Sequence, residues 1–500
     1  MPRGNSLRTL TSTTEIVLAL DLGTSSCRSA LFDSAGRRIE GSMTQRQYPL
    51  HSDRLGRAEL DPQVVLKALS ACITGTLAAH AAGPQAGRAI SAVGISCFWH
   101  SLIGVDAQGK ALTPIITWAD SRCLTDAETL RAEWSERQIH ARTGCMLRSS
   151  FWPAKLRWLR RTDPNRFQQI QRWLSPTDWL CAQLLQLPLA QVHTAHGMAT
   201  ATGLYDPMRL AWDAHMVADC GLQPQQLPAI SDADLSAERC RFASLRGARW
   251  IPAIGDGAAN NLGAGATRPG LAAINFGTSG AVRIVHDSGI PRAPFGLFCY
   301  RMDAQRFLIG GAISNAGRLR AWCVENLRLP DEATLETLLS KRRGPVAGLS
   351  VLPFWMAERA PTWREDLTGS VTGITQATTA IDIYQAITEA TYQRLATIIA
   401  LIPGQGTLTC LVGGGIQRSP QALQRLADVI GLPLIACDEA ETSLRGAAVL
   451  AIERLGQTPA LMGGRTVRPG KAESAAYAEQ RRSLANLETT LHRPKRPPRN

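Results

Sequence analysis

No two cysteines stand at Cys-x-x-Cys spacing and none clusters with histidine, although the chain carries 12 among its 500 residues. A disulfide framework and a zinc site are thereby excluded as organising elements, and the thiols read as reduced, packed as small apolar residues. Apolar runs are no longer than a strand, well short of the ~18–20 residues of a membrane span. The run 16–20 stops at Asp21, too short for a signal-peptide core. A cytoplasmic protein without a membrane partner is expected. Aromatic residues are scarce at 6%, and the basic residues are dispersed without the aromatic interleaving of a stacking platform, so no nucleic-acid partner is expected. The net charge of +13 owes four charges to Arg493, Lys495, Arg496 and Arg499, in a Pro-rich end read as a disordered, solvated tail. An anionic small-molecule substrate suits that charge. Gly-x4-Gly-Lys-Ser/Thr, a strand followed by Gly-x-Gly-x-x-Gly, His-Glu-x-x-His and Gly-x-Ser-x-Gly are all missing. Nothing therefore points to Walker-type NTPases, Rossmann dehydrogenases, zinc metalloproteases or α/β-hydrolases.

What is present is a repeated turn in a chain of ordinary globular composition, 45% hydrophobic and 19% charged. Residues 16–20 read as a strand, Asp21-Leu22-Gly23-Thr24-Ser25-Ser26 as a tight turn, and 29–32 as the returning strand. The pattern recurs half a chain later as 272–276, Gly277-Thr278-Ser279-Gly280 and 281–285. One unit per half is no solenoid; it predicts two related α/β lobes, each opening with a β-hairpin. Helical spacing predicts helices over 62–82, 125–141, 151–161, 331–341, 377–401 and 420–430. Strands are expected at 89–96, 112–117, 408–412 and 434–436, with a lobe boundary at 265–271. Beyond residue 461 a polar helix and the basic end are expected, without further strands.

Several segments carry candidate chemistry. In Asp21-x-Gly-Thr-Ser-Ser-x-Arg28, backbone N–H groups and hydroxyls can ring phosphate oxygens, Arg28 adds a forked cation, and Asp21 could reach Mg²⁺ through water. The competing reading is a hairpin turn that satisfies its own backbone. The second copy at Gly277-Thr278-Ser279 favours a pair of turns that clamp a polyphosphate across a cleft. Asp256, between Gly255 and Gly257 at a strand end, is placed as a general base or as the N-cap of a helix beginning near Ala258. Gly413-Gly414-Gly415, followed by Ser419 and Pro420 as cap and first helical residue, offers bare backbone to a ring or phosphate, or is a plain strand-to-helix turn. Two strand-end segments, Ser96 to His100 and Thr117 to Arg122, mix Trp99 and Trp118 with His100, Asp120 and Arg122, as a polyol site does. For Trp118 alone, core packing serves as well.

Taken in order, Asp21-x-Gly-Thr-Ser-Ser-x-Arg28, Gly255-Asp256-Gly257, Phe276-Gly277-Thr278-Ser279-Gly280 and Gly413-Gly414-Gly415-x-x-Arg418-Ser419 resemble the motifs of the FGGY carbohydrate kinases, from about residue 16 to 455. The resemblance implies an α/β fold of two ribonuclease-H-like lobes, of the actin and hexokinase type, around a cleft. It implies an N-terminal lobe over 14–267 with the sugar and the first phosphate loop, and an ATP-binding lobe over 268–460. A C-terminal helix over 461–492 and the tail 493–500 follow. The implied activity is ATP- and Mg²⁺-dependent phosphorylation of a sugar, with Asp256 taking the proton of the attacking hydroxyl. Thr24, Ser25, Ser26 and Arg28 match the first phosphate loop, with Asp21 near the metal through water, and Thr278 matches the second. Gly311, Asn315, Gly414, Gly415 and Ser419 match adenosine-binding positions; Trp99, His100, Asp120 and Arg122 fall, with Asp256, where the family contacts its sugar. The segments at Trp118–Arg122, Gly203–Asp206 and Glu358–Trp363 look most like gluconokinases, which implies D-gluconate to 6-phosphogluconate. A xylulokinase or other pentulose or polyol kinase, or a catalytically silent sugar sensor, is the alternative. Ser150 replaces a tyrosine that glycerol-specific members use, and Trp99 stands where many relatives have a smaller residue, implying a reshaped pocket. His100, Arg122 and Arg359 are the candidates for holding a substrate carboxylate. A homodimer is compatible with all of this.

Overall fold

A computed structural model describes residues 15–286, 293–402 and 408–492; the basic tail 493–500 lies outside them. The first hairpin forms as its pattern predicts. In β1 (Ile16–Leu22) every residue is buried, the continuous apolar run of a strand covered on both faces. It pairs antiparallel with β2 (Ser26–Asp33), which pairs with β3 (Thr44–Gln47). On its other side β1 runs parallel to β4 (Ile90–Cys97), and β4 runs parallel to β5 (Arg249–Trp250) and β6 (Ile254–Gly255).

The second sheet repeats this plan. β7 (Leu271–Phe276) pairs antiparallel with β8 (Gly280–His286), and an edge hairpin of β9 (Phe298–Arg301) and β10 (Phe307–Ile313) follows on β8. Parallel to β7 lies β11 (Thr409–Gly413), then β12 (Leu434–Cys437). The last strand corrects the expectation of no strand beyond residue 461: β13 (Gly464–Val467) pairs antiparallel with β12 and closes the sheet. Its first three residues are exposed, so no apolar alternation announces it.

Helices connect and cover these sheets. Pro62–Ala82 (α1) starts at Asp61, whose side chain accepts from the amides of Gln63 and Val64, with Pro at the first position. By length and composition it could cross a membrane; here its apolar stripe packs on β2 and β3. Asp256–Ala264 (α2) follows β6 directly. The expected helix over 125–141 is two, Leu124–Glu133 and Glu136–Thr143, because Trp134 and Ser135 take extended backbone and Trp134 Nε1 donates to Asp219 at 3.0 Å. In the second half, Ala380–Leu401 (α3) lies against β8 and β10, and Pro420–Ile430 (α4) follows β11 with Ser419 as the expected N-cap. Thr442–Arg454 (α5) comes from the second half of the chain yet packs on β1 and β4, and its apolar residues join the core of the first lobe. Lys471–Leu491 (α6) packs against α4.

α2 and α5 cross between the two sheets with their backbones in contact. A Cβ at Gly446 would fall 1.7 Å from the carbonyl oxygen of Ala259, and one at Gly263 would fall 1.7 Å from that of Thr442. Small residues at this crossing let the lobes share one joint, at whose N-terminal end Asp256 sits.

Candidate active site

Both hairpin turns are held from behind, which frees their hydroxyls. In the first, Gly23 N–H bonds Ser26 O at 2.9 Å, Tyr48 Oη donates to Gly23 O at 2.6 Å, and Tyr48 N–H donates to Ser25 O at 3.0 Å. In the second, Gly277 N–H bonds Ser279 O at 3.0 Å, while Gly317 and Arg318 at the start of a helix donate to Gly277 O and Thr278 O. The carbonyls of Gly23, Ser25, Gly277 and Thr278 and both glycine amides are thus bonded without the hydroxyls of the turns. Among the described residues none takes up the hydroxyls of Ser25, Thr278 or Ser279, which are exposed. Thr24 Oγ1 accepts Trp118 Nε1–H at 3.0 Å. Ser26 is buried at the start of β2, with Gln45 Nε2 at 3.4 Å from its hydroxyl.

Asp21 is the last but one residue of β1 and is buried. Its Oδ2 accepts from Ser443 Oγ at 3.1 Å and from Arg28 Nη1 at 3.4 Å. Arg28 also lies 3.3 Å from Glu441, so this cluster ties the first turn to the start of α5. Burial raises the Asp21 pKa against the opposing hydrogen bonds of Ser96 and Ser443 and the charge of Arg28. A single carboxylate beside a phosphate-sized turn fits Mg²⁺, which keeps most of its waters and otherwise takes its ligands from phosphate. No cluster of three or more acidic, His or Cys side chains suited to a metal occurs among the described residues.

Between the lobes lies a cavity of about 210 Å³ lined by Thr24, Ser279, Trp99, His100, Asp256 and Trp118, among others. Asp256 is the first residue of α2, with Gly255 as the cap, so it is not itself the N-cap of a helix starting at Ala258. Its carboxylate is open to the cleft, and Oδ1 accepts its neighbour's amide, Gly257 N–H, at 2.7 Å. Burial pushes its pKa up to about 6, with Asp21 adding to the rise and Arg283, the Gly257 amide and Arg359 opposing it. The two flanking glycines have a steric cause. A Cβ on Gly255 would fall 1.7 Å from the Trp99 indole, and one on Gly257 would fall 2.4 Å from it and 2.7 Å from Arg283 Nε.

Trp99 is buried, and its Nε1–H donates to Gly197 O at 2.8 Å. His100 adopts φ of 65°, and its Nδ1 lies 2.6 Å from Ala201 O. A carbonyl only accepts, so Nδ1 carries the hydrogen and Nε2 is left as an acceptor. Burial pushes the His100 pKa down to about 3, which makes it a neutral hydrogen-bonding wall and removes it as a cation for a carboxylate.

Asp120 and Arg122 are not brought into this cavity. Asp120 is buried, accepts Ala58 N–H at 2.9 Å and is clamped by Arg122, whose Nη2 approaches to 2.6 Å. Arg122 also pairs with Glu59 and lies over the Trp158 ring. The motif closes on itself, and of that segment only Trp118 reaches the cavity.

At the expected nucleotide positions the picture divides. Gly414 has φ of 94°, and a Cβ there would meet Asn275 Oδ1 at 2.7 Å; Gly415 is exposed, with open space around it. Gly311 is packed into the lobe core, where a Cβ would fall 2.6 Å from Ala360, so its glycine serves packing. The Asn315 amide is engaged at both ends, donating to Met356 O at 2.8 Å and accepting Met356 N–H at 3.0 Å. Ser419 Oγ caps α4 and donates to Glu336 at 2.6 Å.

The sequence did not single out Arg283 or Tyr300. Arg283 lies on β8, an isolated cation in an apolar strand, and that misplaced charge was the available signal. Among the described residues its Nε and Nη1 are buried without a hydrogen-bond partner, as is Nε of Arg359. Arg359 Nη2 donates to Ile313 O at 3.1 Å, and its guanidinium lies 5.9 Å above the Trp118 ring.

Two lobes of the same strand plan, a hydroxyl-bearing turn from each, and a carboxylate between them make up the layout of a phosphotransferase that acts on a hydroxyl. The chain belongs to the FGGY family of carbohydrate kinases: the model of the family's N-terminal domain matches residues 16–263 and that of its C-terminal domain residues 272–453. It is 25% identical over 464 residues to a gluconokinase of Bacillus subtilis (strain 168), covering 89% of this chain and 88% of that one. Two solved structures from Lactobacillus acidophilus superpose with TM-scores of 0.87 at 23% identity. One is a gluconate kinase, covering 96% of this chain and 98% of its own; the other is a xylulose kinase, covering 95% and 98%. Kinases of this family act on sugars with ATP, and the fold is the two-lobed one that the motifs implied.

Proposed function

We propose that the protein transfers the γ-phosphoryl group of ATP to the terminal hydroxyl of D-gluconate, giving 6-phosphogluconate in the cytoplasm. The observation that carries this reading is the Asp256 carboxylate, open to the cavity, raised to about 6 and set between the two hydroxyl turns. At neutral pH it is ionised yet basic enough to take the proton of an attacking hydroxyl. Phosphoryl transfer asks for alignment and charge neutralisation rather than covalent chemistry, and the turns at Gly23–Ser26 and Gly277–Ser279 supply hydroxyls and amides on both sides of the cleft. Mg²⁺, when bound, would neutralise phosphate charge; Asp21 is the residue that would orient its waters. Gly414 and Gly415 offer bare backbone to the adenosine, with Asn315 and Ser419 shaping that wall through Met356 and Glu336. Trp99 walls the acceptor side, His100 Nε2 accepts from a sugar hydroxyl, and Ser150 lines the same cavity.

The choice of gluconate rests on the gluconokinase relative and the resembling segments; D-xylulose is the second reading, since a xylulose kinase shares the fold equally well. The test is ADP release with Mg-ATP against D-gluconate, D-xylulose, D-ribulose, L-ribulose and glycerol. Turnover on gluconate above the no-sugar background, exceeding the others, is expected; turnover on a ketopentose alone would transfer the assignment to it.

A further inference from the structure

The cavity beside Asp256 holds more positive charge than its own residues balance. Arg283 reaches in from β8 and lies against Gly257, where a Cβ would come within 2.7 Å of its Nε. Arg359 reaches in from the irregular segment 353–369. Between them the two guanidiniums have one hydrogen bond to protein, Arg359 Nη2 to Ile313 O at 3.1 Å, and neither forms an ion pair among the described residues. Among the described residues, the only carboxylate lining the cavity is Asp256. Behind His100, Lys155 adds a further buried cation, its ammonium taken up by the carbonyls of His100 and Ser150 at 2.9 and 2.5 Å. His100 and Tyr300 contribute no charge, since burial drives the first pKa down and the second up.

Buried guanidiniums are seldom left with hydrogens unpartnered, because a desolvated cation requires an acceptor of opposite charge. The wall around this pair is aromatic: Tyr300 lies edge-on to Trp99 at 5.2 Å and stacks on Phe298 at 4.7 Å. Such faces take the C–H side of a carbon chain, whereas the hydroxyl turns that suit phosphate come from the two hairpins.

We infer that Arg283 and Arg359 form a carboxylate-binding subsite, which makes the acceptor a sugar acid rather than a neutral ketose or polyol. One monoanionic acid, together with ionised Asp256, balances the two guanidiniums, and a planar carboxylate meets the forked N–H geometry of arginine. Burial already lowers the pKa of both arginines, Arg359 to about 10, as for cations that lack a counter-ion. This inference deepens the proposed activity and rests on it for the identity of the cavity; its residues, however, can be tested by binding alone.

The test is calorimetric titration of the protein with D-gluconate and with D-gluconamide, its neutral isostere, without nucleotide. The wild-type protein is expected to bind the acid about 100-fold more tightly, the scale of a desolvated charge-assisted hydrogen-bond pair. Arg283→Met and Arg359→Met are expected to reduce that ratio to less than about 5-fold, and Arg359→Lys to restore part of it. Equal binding of acid and amide by the wild-type protein overturns the subsite and needs no variant. ADP release separates the two proposals. Transfer to D-xylulose with no preference for acids ends the subsite and leaves the kinase. Acid preference in binding, with no transfer to any sugar, keeps the subsite and ends the kinase reading. If each arginine variant lowers kcat equally on acid and ketose without changing the binding ratio, the guanidiniums serve the moving phosphoryl group, and the carboxylate assignment fails.

Discussion

Asp256→Asn is expected to act in opposite directions on turnover and on stability. Turnover should fall by about 10²–10⁴-fold, the usual worth of a positioned general base. In the wild-type enzyme, kcat/KM should drop tenfold per pH unit below about 6, where the carboxylate protonates. The stability effect follows from the same shift, since the pKa lies near 6 rather than at the ordinary carboxylate value of 3.8. The native state therefore holds this proton more tightly than the unfolded chain does. Between those two values the native state binds more protons, so stability falls as pH rises through the window. About two units at 1.36 kcal/mol each would give ~3 kcal/mol, but the carboxylate faces cleft water, and screening reduces this to about 1 kcal/mol. The charges of Arg283 and Arg359 already oppose the shift and do not cancel it. The variant should accordingly unfold at higher urea than wild type at pH 8, and the gain should vanish near pH 4. Urea denaturation at both pH values, beside a coupled ADP assay, reads both effects. A variant less stable than wild type at pH 8, or one keeping a tenth of its turnover, would refute the reasoning.

Other perturbations probe the frame of the site. Gly446→Ala puts a Cβ 1.7 Å from Ala259 O at the α2–α5 crossing, and overpacking there should cost ~3 kcal/mol or more; an unchanged denaturation midpoint would mean that the helices do not touch. Trp99→Ala removes a buried indole and strips Gly197 O of its donor, so about 3–5 kcal/mol should be lost, with KM for sugar rising more than KM for ATP. Collapse of ATP affinity instead would misplace the sugar side of the cavity. Trp118→Phe keeps the ring and deletes the hydrogen bond to Thr24 Oγ1; a loss of about 1 kcal/mol predicts a roughly fivefold rise in KM for ATP at unchanged melting temperature. A rise confined to the sugar KM would detach Thr24 from the phosphate side.

The parts of this molecule legible in the sequence are those set by local rules. Both hairpins, the Ser419–Pro420 helix start and α1 follow from turn chemistry, capping and apolar spacing. The parts that were not legible depend on what packs beyond the neighbouring residues. Asp120 and Arg122 carry the chemistry of a site, but their partners are Ala58 and Glu59, some sixty residues back in the chain, and the charges neutralise each other away from the cavity. Gly311 looks like a glycine that admits a ligand, yet the close approach it permits is by Ala360 and Ile398. Helix α5 cannot be assigned to the first lobe by any local pattern, since the strands it covers, β1 and β4, lie more than 300 residues earlier in the chain. Arg283 was visible only as a charge out of place.

The duplication itself explains why the two halves of the cleft differ. In the first hairpin Leu22 faces Cys27, and Asp21 faces Arg28 one step further down. In the second, Phe276 faces Gly280 and Asn275 faces Ala281, so the turn is one residue shorter and the acid–base pair is replaced by an amide and a methyl group. Of the two turns, the first therefore has a carboxylate and a guanidinium beside it, Asp21 and Arg28, and the second has neither at the matching positions. The second hairpin carries its cation two residues beyond Ala281, at Arg283, on the same face of the strand but further from the turn, where its charge acts on Asp256. The two hairpins thus differ in electrostatics: the longer turn sits beside the Asp21–Arg28 pair, and the shorter one places the charge of Arg283 near Asp256.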